Sequence, residues 1–246
     1  NRMLSRFANE TLEGFEGALP GGIWVGNPVR REIAELPDPA ERYGVRQGPL
    51  HILVLGGSQG AQSINQALIG SLPRLAKAVP GLQFIHLTGG SVEPVRQAYD
   101  ALGLRAVVRP FLTEMEYALG AADLAVSRSG ASSLAEFSAM ELPAILIPYP
   151  TAVDDHQRIN AQSFVDIGAA RCFHQKQLTP HLLVSQLSEL FGSPAKLRAM
   201  AASMKKWKAA QATEVVVQRI YEVCEWEDDG GDELMFDLPG GKEAAA

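Results

Sequence analysis

The sequence predicts an α/β fold in which a parallel sheet is flanked by helices in a Rossmann-like arrangement. From residue 51 onward, short apolar runs alternate with stretches that have helical spacing. The runs are apolar at consecutive positions, as expected for strands that helices cover on both faces. Hydrophobic residues make up 46% of the 246 residues, which is enough for a sizeable core and argues against global disorder.

Six strands are predicted in the main sheet, and each is a short apolar run. They are HILVLG (51–56), LQFIHLT (82–88), RAVVRPF (105–111), DLAVSR (123–128), PAILIPY (143–149) and AARCFH (169–174). A helical stretch follows each of the first five, and two or three helices follow residue 178. Right-handed crossovers would place every strand-to-helix loop on one edge of the sheet, where such sheets bind their ligands.

The segments outside this pattern differ in composition. Residues 4–19 have the spacing of an amphipathic helix, and GIWVGN (22–27) is typical of a short strand. Residues 26–49 are rich in proline, glycine and charge, which is the composition of an interdomain linker. Cys172 and Cys224 provide neither a disulfide framework nor metal-binding spacing, which fits a reducing cytoplasm.

The formal net charge of −6 comes from the C-terminal end of the chain. Residues 225–246 carry eight acidic residues and one lysine, so the rest of the chain is close to neutral. A solvated, disordered tail is the simplest interpretation, and docking of ELMFDL (233–238) on a partner is the alternative. No apolar run approaches the ~20 residues of a membrane span, and no nucleic-acid partner is expected.

A glycine-rich turn, LGGSQGAQS (55–63), follows the first predicted strand and opens a helix. Glycine permits turns that a side chain would block and lets a ligand approach the backbone. The order Gly56, Gly57, Gly60 does not match the dinucleotide-binding G-x-G-x-x-G, and the second strand ends in HLTG without an acid for a ribose. The Lys-Ser/Thr ending of a P-loop is also missing. Phosphate binding and tight backbone packing both remain open for this turn.

A second turn of small residues, Ser127 to Ser133 with only Arg128 interrupting, follows the fourth predicted strand. The helix that begins there should leave backbone N–H groups unpaired, and such a terminus carries roughly half a positive charge. Small side chains would let a diphosphate lie on these donors, whereas capping by one serine, worth ~1 kcal/mol, is the alternative. Glu136, one turn later, can accept two hydrogen bonds from a ribose diol. Turn and glutamate together describe a site for a nucleoside diphosphate.

Four sequence motifs occur in the order and at the spacing of the MurG family. They are GNPVR (26–30), GGSQGA (56–61), RSGASSLAE (128–136) and DDHQRINA (154–161). The chain therefore resembles the UDP-N-acetylglucosamine:N-acetylmuramyl-(pentapeptide) pyrophosphoryl-undecaprenol N-acetylglucosamine transferases over about residues 1–222. This family has two Rossmann-like domains that face each other across a cleft, the GT-B arrangement, and the second domain holds the UDP-sugar donor.

The resemblance implies a division of the chain into five segments. These are the remnant of the N-terminal acceptor domain (1–25), the interdomain linker (26–49), the UDP-sugar-binding Rossmann-like domain (50–209), a C-terminal helix (210–224) and the acidic tail (225–246).

The resemblance also implies a binding site for UDP-N-acetylglucosamine. Its expected contacts are Arg30, Ser58, Leu112, Ala131, Ser132, Ser133, Leu134, Ala135, Glu136 and Gln157, with Gly57, Gly60, His156 and Asn160 as further candidates. Residues 131–136 would hold the diphosphate and the ribose, and Ser58 would contact a phosphate. Leu112 would hold the uracil through its backbone, Gln157 the sugar hydroxyls, and Arg30 would lie against the nucleotide. No catalytic residue, metal ligand or cofactor is expected in this chain.

Roles that involve no ligand contact are the alternatives for single residues: a surface charge for Arg30, a core leucine for Leu112 and a loop residue for His156. Asp154 and Asp155 could suggest a metal pair, but negative charge at a helix N-terminus explains them adequately.

The implied reaction is inverting transfer of N-acetylglucosamine to the C4 hydroxyl of the muramyl sugar of lipid I, giving lipid II in peptidoglycan synthesis. In the family, the general base, the acceptor site and the membrane-facing patch belong to the first domain. We therefore expect this chain to bind the donor without turnover, and the protein to lie peripherally on the cytoplasmic face of the bacterial cell membrane. The alternatives are another GT-B UDP-sugar transferase, a UDP-sugar epimerase, or a non-catalytic nucleotide-sugar-binding module.

Overall fold

The computed structural model contains a six-stranded parallel sheet and a separate pair of short strands. It describes residues 4–36, 49–57, 61–152, 155–207 and 212–224. The strands of the described residues, in chain order, are β1 (Leu12–Glu13), β2 (Ile23–Trp24), β3 (His51–Leu55), β4 (Gln83–Leu87), β5 (Ala106–Arg109), β6 (Leu124–Ser127), β7 (Ala144–Leu146) and β8 (Ala170–Cys172). The last six correspond to the six predicted strands, and the predicted α/β class is confirmed.

Helices alternate with the strands of the sheet along the chain. They are α1 (Arg31–Ala34), α2 (Gln62–Ala78), α3 (Glu93–Asp100), α4 (Met115–Ala121), α5 (Ala131–Ala139), α6 (His156–Asp166), α7 (Pro180–Phe191), α8 (Pro194–Met204) and α9 (Ala212–Cys224), with 3₁₀ turns at Leu4–Arg6 and Gln175–Gln177.

The spatial order of the sheet is β5-β4-β3-β6-β7-β8, with all neighbours parallel. The chain builds outward from β3 to β5 and then crosses to β6 on the other side of β3, so the strand order reverses between β3 and β6. Leu55 at the end of β3 pairs with Ser127 at the end of β6. The two turns singled out in the sequence therefore leave the same edge side by side, at the place where doubly wound sheets bind ligands.

The apolar runs are continuous because both faces of the sheet are buried. On β3, Ile52 and Val54 pack in a cluster with residues of α2, α3 and α7, whereas Leu53 and Leu55 pack with residues of α4, α5 and α6. Successive side chains of a strand point to opposite faces, and burying each such side chain contributes roughly 1.5–3 kcal/mol. The two clusters hold the carboxyl edge of the sheet in a fixed register.

The helix expected at residues 4–19 is wrong. A 3₁₀ turn occupies Leu4–Arg6, and β1 then pairs in parallel with β2, which confirms the short strand predicted in GIWVGN. The Glu13 carboxylate accepts hydrogen bonds from the backbone N–H groups of Gly17 (2.6 Å) and Leu19 (2.8 Å). These bonds compete with helical ones, and Gly17 adopts a left-handed φ of 75° that breaks the helical path.

Four aromatic rings tie the N-terminal segment to the sheet domain. The Trp207 ring lies 4.9 Å from that of Phe15, 5.3 Å from that of Trp24 and 4.6 Å from that of Phe164, measured between centroids. Ile33 of α1 is buried in the same cluster. Residues assigned to the preceding domain and the linker thus contribute to the core of the sheet domain, and the five-segment division stays a prediction. The tail at 225–246 lies outside the described residues.

Candidate functional site

Several described helices that follow strands of the sheet begin without side-chain caps, and two of them, α2 and α5, follow the adjacent strands β3 and β6. The N-cap residues are Ala61 for α2 and Gly130 for α5, and neither provides a capping side chain. The capping serine considered for α5 is wrong, because the Ser129 hydroxyl donates to the Gln157 carbonyl oxygen at 2.8 Å. Helix N-termini of this kind carry a partial positive charge and attract anions.

The turn before α2 requires glycine at one described position. Gly57 has a φ of 79°, and no described atom lies near the place of an added Cβ. A side chain there would be strained by the backbone conformation alone. Ser58 and Gly60, the other candidates in this turn, lie outside the described residues.

Arg30 and Glu136 form an ion pair that joins the start of α1 to α5. The Glu136 Oε1 atom accepts hydrogen bonds from Arg30 Nε (2.9 Å) and Nη2 (2.8 Å). Arg30 Nη1 donates to the Thr113 carbonyl oxygen at 3.2 Å. The Glu136 side chain is 13% exposed, against 41% for Arg30. One oxygen of Glu136 is therefore engaged by Arg30. Through its bond to Thr113, Arg30 also connects the predicted linker to the loop after β5.

The pKa of Glu136 reflects two opposing effects. Burial raises the pKa above the ordinary glutamate value, and the charge and hydrogen bonds of Arg30 lower it, with burial the larger effect. The Glu136 carboxylate is therefore expected to take up a proton at a higher pH than an exposed glutamate does.

The predicted residues of α5 have different surroundings. Ser132 is exposed and Ala131 and Ser133 are half-buried, whereas Leu134 and Ala135 are fully buried in the core. Leu134 and Ala135 could therefore offer a ligand only their backbone. The Leu112 side chain is half-buried against the same core, which fits the core role considered for it.

Gln157 and Asn160 support the second turn from α6. The Gln157 side-chain oxygen accepts from the Tyr149 N–H at 3.0 Å, and Asn160 Nδ2 donates to the Ser129 carbonyl oxygen at 3.3 Å. Asn160 is buried, while His156 is exposed at the start of α6. The structure thus gathers these residues at the same edge as α5, and their binding roles stay predictions. Asp154 lies outside the described residues.

Sequence reasoning missed Arg128 as a member of this edge. Its guanidinium is buried and contacts the loop after β7, the first turn of α2 and Gln175. The only signal in the sequence was one charged residue inside a run of small ones. Within the described part of the chain, no group of three or more His, Cys, Asp or Glu side chains could hold a metal ion. No helix among the described residues is long and apolar enough to span a bilayer.

The fold defines the chain as a doubly wound α/β domain, a class of domain in which ligands bind at this edge of the sheet. The family model of the glycosyltransferase family 28 C-terminal domain matches residues 51–216. The chain therefore belongs to glycosyltransferase family 28.

Two curated relatives carry the name UDP-N-acetylglucosamine--N-acetylmuramyl-(pentapeptide) pyrophosphoryl-undecaprenol N-acetylglucosamine transferase. The protein from Saccharophagus degradans is 41% identical over 215 residues, which cover 87% of this chain and 55% of that protein. The protein from Alcanivorax borkumensis is 42% identical over 230 residues, covering 92% and 62%. A crystal structure of Acinetobacter baumannii MurG matches with a TM-score of 0.78 and 32% identity, covering 89% of this chain and 62% of that one. The resemblance to MurG is confirmed, and the chain spans about three-fifths of these relatives' length.

Proposed function

We propose that this chain is the donor-binding part of an inverting transferase that moves N-acetylglucosamine from UDP-N-acetylglucosamine to the muramyl sugar of lipid I. The observation that carries the proposal is the meeting of two uncapped helix N-termini with Glu136 at the point where the strand order reverses. The identity of 41% to transferases of that name supports the choice of donor and acceptor. No comparable observation favours an epimerase or a non-catalytic module.

In the proposed pose, UDP runs from the backbone after Leu112 toward Gln157. The backbone after Leu112 would receive the uracil, and Arg30 bridges from the Thr113 carbonyl to Glu136. The second oxygen of Glu136 would accept from the ribose hydroxyls. The N-terminus of α5 would then receive the phosphates, together with the turn at Gly57. Gln157, in the first turn of α6, would lie toward the sugar.

The chemical task proposed for this part of the enzyme is stabilisation of the departing UDP. When the bond from the anomeric carbon to the phosphate oxygen breaks, negative charge develops on the diphosphate. Preorganised N–H donors and helix dipoles favour that charge without reorganising. A general base must take the proton of the acceptor hydroxyl. We propose that the base and the acceptor site belong to the part of the relatives that this chain does not span, so that this chain alone binds donor without turnover.

The proposed acceptor is also the basis for a proposed location of the enzyme. Lipid I is membrane-linked, so the enzyme would act at the cytoplasmic face of the bacterial membrane as a peripheral protein, mainly through the part outside this chain.

Calorimetric titration with UDP, UDP-N-acetylglucosamine and UDP-glucose tests the donor site. We expect the chain to bind UDP and UDP-N-acetylglucosamine. We expect Glu136→Ala to weaken both by about tenfold or more, since hydrogen bonds to a charged group are worth about 1.5–3 kcal/mol. The exposed Glu214→Ala on α9 is the matched control and should bind like wild type. Wild type that ignores all three ligands, or Glu136→Ala that binds as tightly as wild type, would contradict the assignment.

A further inference from the structure

Arg128 is a buried cation at the reversal of strand order. The residue is 6% exposed and directly follows β6. Its Nη1 atom donates to the carbonyl oxygens of Ile147 (2.9 Å) and Pro148 (3.1 Å). Its Nη2 atom donates to Ser63 Oγ (3.1 Å) and to Gln175 Oε1 (2.6 Å). All of these acceptors are neutral.

The charge of Arg128 has no carboxylate partner among the described residues. The Tyr149 ring lies 5.4 Å from the guanidinium carbon, and the buried Nε atom has no hydrogen-bond partner within the described structure. A buried charge is costly unless it is paired. The cost is expected to be relieved when an anion approaches.

The surroundings of Arg128 add further positive charge. Ser63 belongs to the first turn of α2, so the guanidinium touches the positive end of that helix. The N-terminus of α5 begins only three residues after Arg128. A cavity of about 390 Å³ is lined by Arg128, Ser63, Tyr149 and Gln175, among others. The positive charge of Arg128 and of the α2 N-terminus is therefore concentrated around one opening at the carboxyl edge.

We propose that Arg128 is a positioning residue whose fixed charge, held by Ser63 and Gln175 beside the N-terminus of α2, selects ligands that carry a diphosphate. The proposal rests on the proposed function and names the part of the ligand that this charge recognises. The Nη atoms are engaged by protein acceptors, so Arg128 acts through its field and by anchoring α2 to the loop after β7. It should therefore strengthen binding of UDP without affecting binding of uridine.

The sharpest test leaves Arg128 in place and balances its charge with a new carboxylate partner. Gln175→Glu has nearly the same shape and puts a carboxylate oxygen where the 2.6 Å acceptor lies. We expect this variant to bind UDP about tenfold or more weakly and uridine within twofold of wild type, measured by calorimetry and NMR titration. Its thermal stability should be equal to or above that of wild type, because the buried cation gains a partner.

The matched control is Gln186→Glu. Gln186 also accepts a hydrogen bond, at 2.5 Å, from Arg171 of the edge strand β8. That arginine already has a carboxylate partner, Glu189 of α7. The same change of net charge there should leave UDP affinity within twofold of wild type.

A second variant, Arg128→Gln, removes the charge itself and should also weaken UDP selectively. Equal losses of UDP and uridine binding in a folded Arg128→Gln or Gln175→Glu would show that the residue is only structural. Unchanged UDP binding in Gln175→Glu would overturn the proposal on its own, even if Arg128→Gln fails to fold. Wild type that binds no UDP would instead refute the proposed function.

Discussion

Glu136 carries the clearest pH dependence at the scale of single residues. Its carboxylate is largely buried, which raises its pKa, while Arg30 opposes this by attraction. The ionised form is the one that can accept hydrogen bonds at both oxygens. Since one oxygen is engaged by Arg30, loss of the charge removes the acceptor proposed for the ribose.

We therefore expect UDP affinity to fall as the pH is lowered, beginning above the ordinary glutamate pKa of 4.5. The diphosphate also titrates, so the measurement is the difference between wild type and Glu136→Ala across the pH range. The difference should shrink as the pH falls through the raised pKa. In Arg30→Gln, which loses the lowering effect, the same decline should begin at a higher pH. Parallel pH profiles for wild type and Glu136→Ala would exclude Glu136 from the site.

Single residues of the site were predictable only where a motif names them. Arg30 and Glu136 were each predicted as nucleotide contacts, but their ion pair joins positions 106 apart and depends on the fold. The burial of Arg128 was not predictable, because its acceptors come from three different elements.

A buried chain of hydrogen bonds joins strand β4 to helices α2 and α3. His86 of β4 is fully buried, with Nε2 3.0 Å from Asn65 Oδ1 and Nδ1 3.1 Å from the Tyr99 hydroxyl. Asn65 Nδ2 donates to the Thr88 carbonyl oxygen, so Oδ1 is the acceptor and His86 donates through Nε2. The Tyr99 hydroxyl then donates to Nδ1. This arrangement needs a neutral imidazole, and burial lowers the pKa of His86 to about 4.

The chain should therefore lose stability in acid. Between the unfolded pKa of 6.5 and the folded pKa of about 4, the unfolded chain binds the extra proton, so stability falls as the pH falls through this window. We expect the unfolding free energy to drop by about 2–3 kcal/mol from this group alone, measured by urea unfolding at pH values near 7 and 4.5. His86→Gln should reduce that difference, and the exposed His181→Gln should not. An equal drop in all three proteins would contradict the role of His86.

At the scale of elements, periodicity predicted the alternation of strands and helices well. The fourth strand, predicted at 123–128, is β6 at Leu124–Ser127, since a buried strand in a parallel sheet is apolar on both faces. The segment at 4–19 failed because the carboxylate of Glu13 and the conformation of Gly17 decide the backbone there. Helical spacing contains no information about such side-chain-to-backbone bonds.

The arrangement of the whole molecule was only partly contained in the sequence. Right-handed crossovers predicted that both turns share one edge, and the pairing of Leu55 with Ser127 confirms it. The order of the strands, with its reversal between β3 and β6, was not predictable because it depends on which strands pair. The packing of Trp207 on Phe15 and Trp24 was also beyond sequence reasoning, since it joins distant parts of the chain.

The most direct measurement of the central claim is an amide NMR titration of the isotopically labelled chain with UDP. If the diphosphate lies on the two helix N-termini, the largest shifts should occur at Gly57 and at the first turn of α5, Ala131 to Ser133. Residues at the amino edge of the sheet, such as Gly81 before β4, should shift little. Saturable binding whose largest shifts lie at the amino edge, with Ala131 to Ser133 unchanged, would contradict the proposed site.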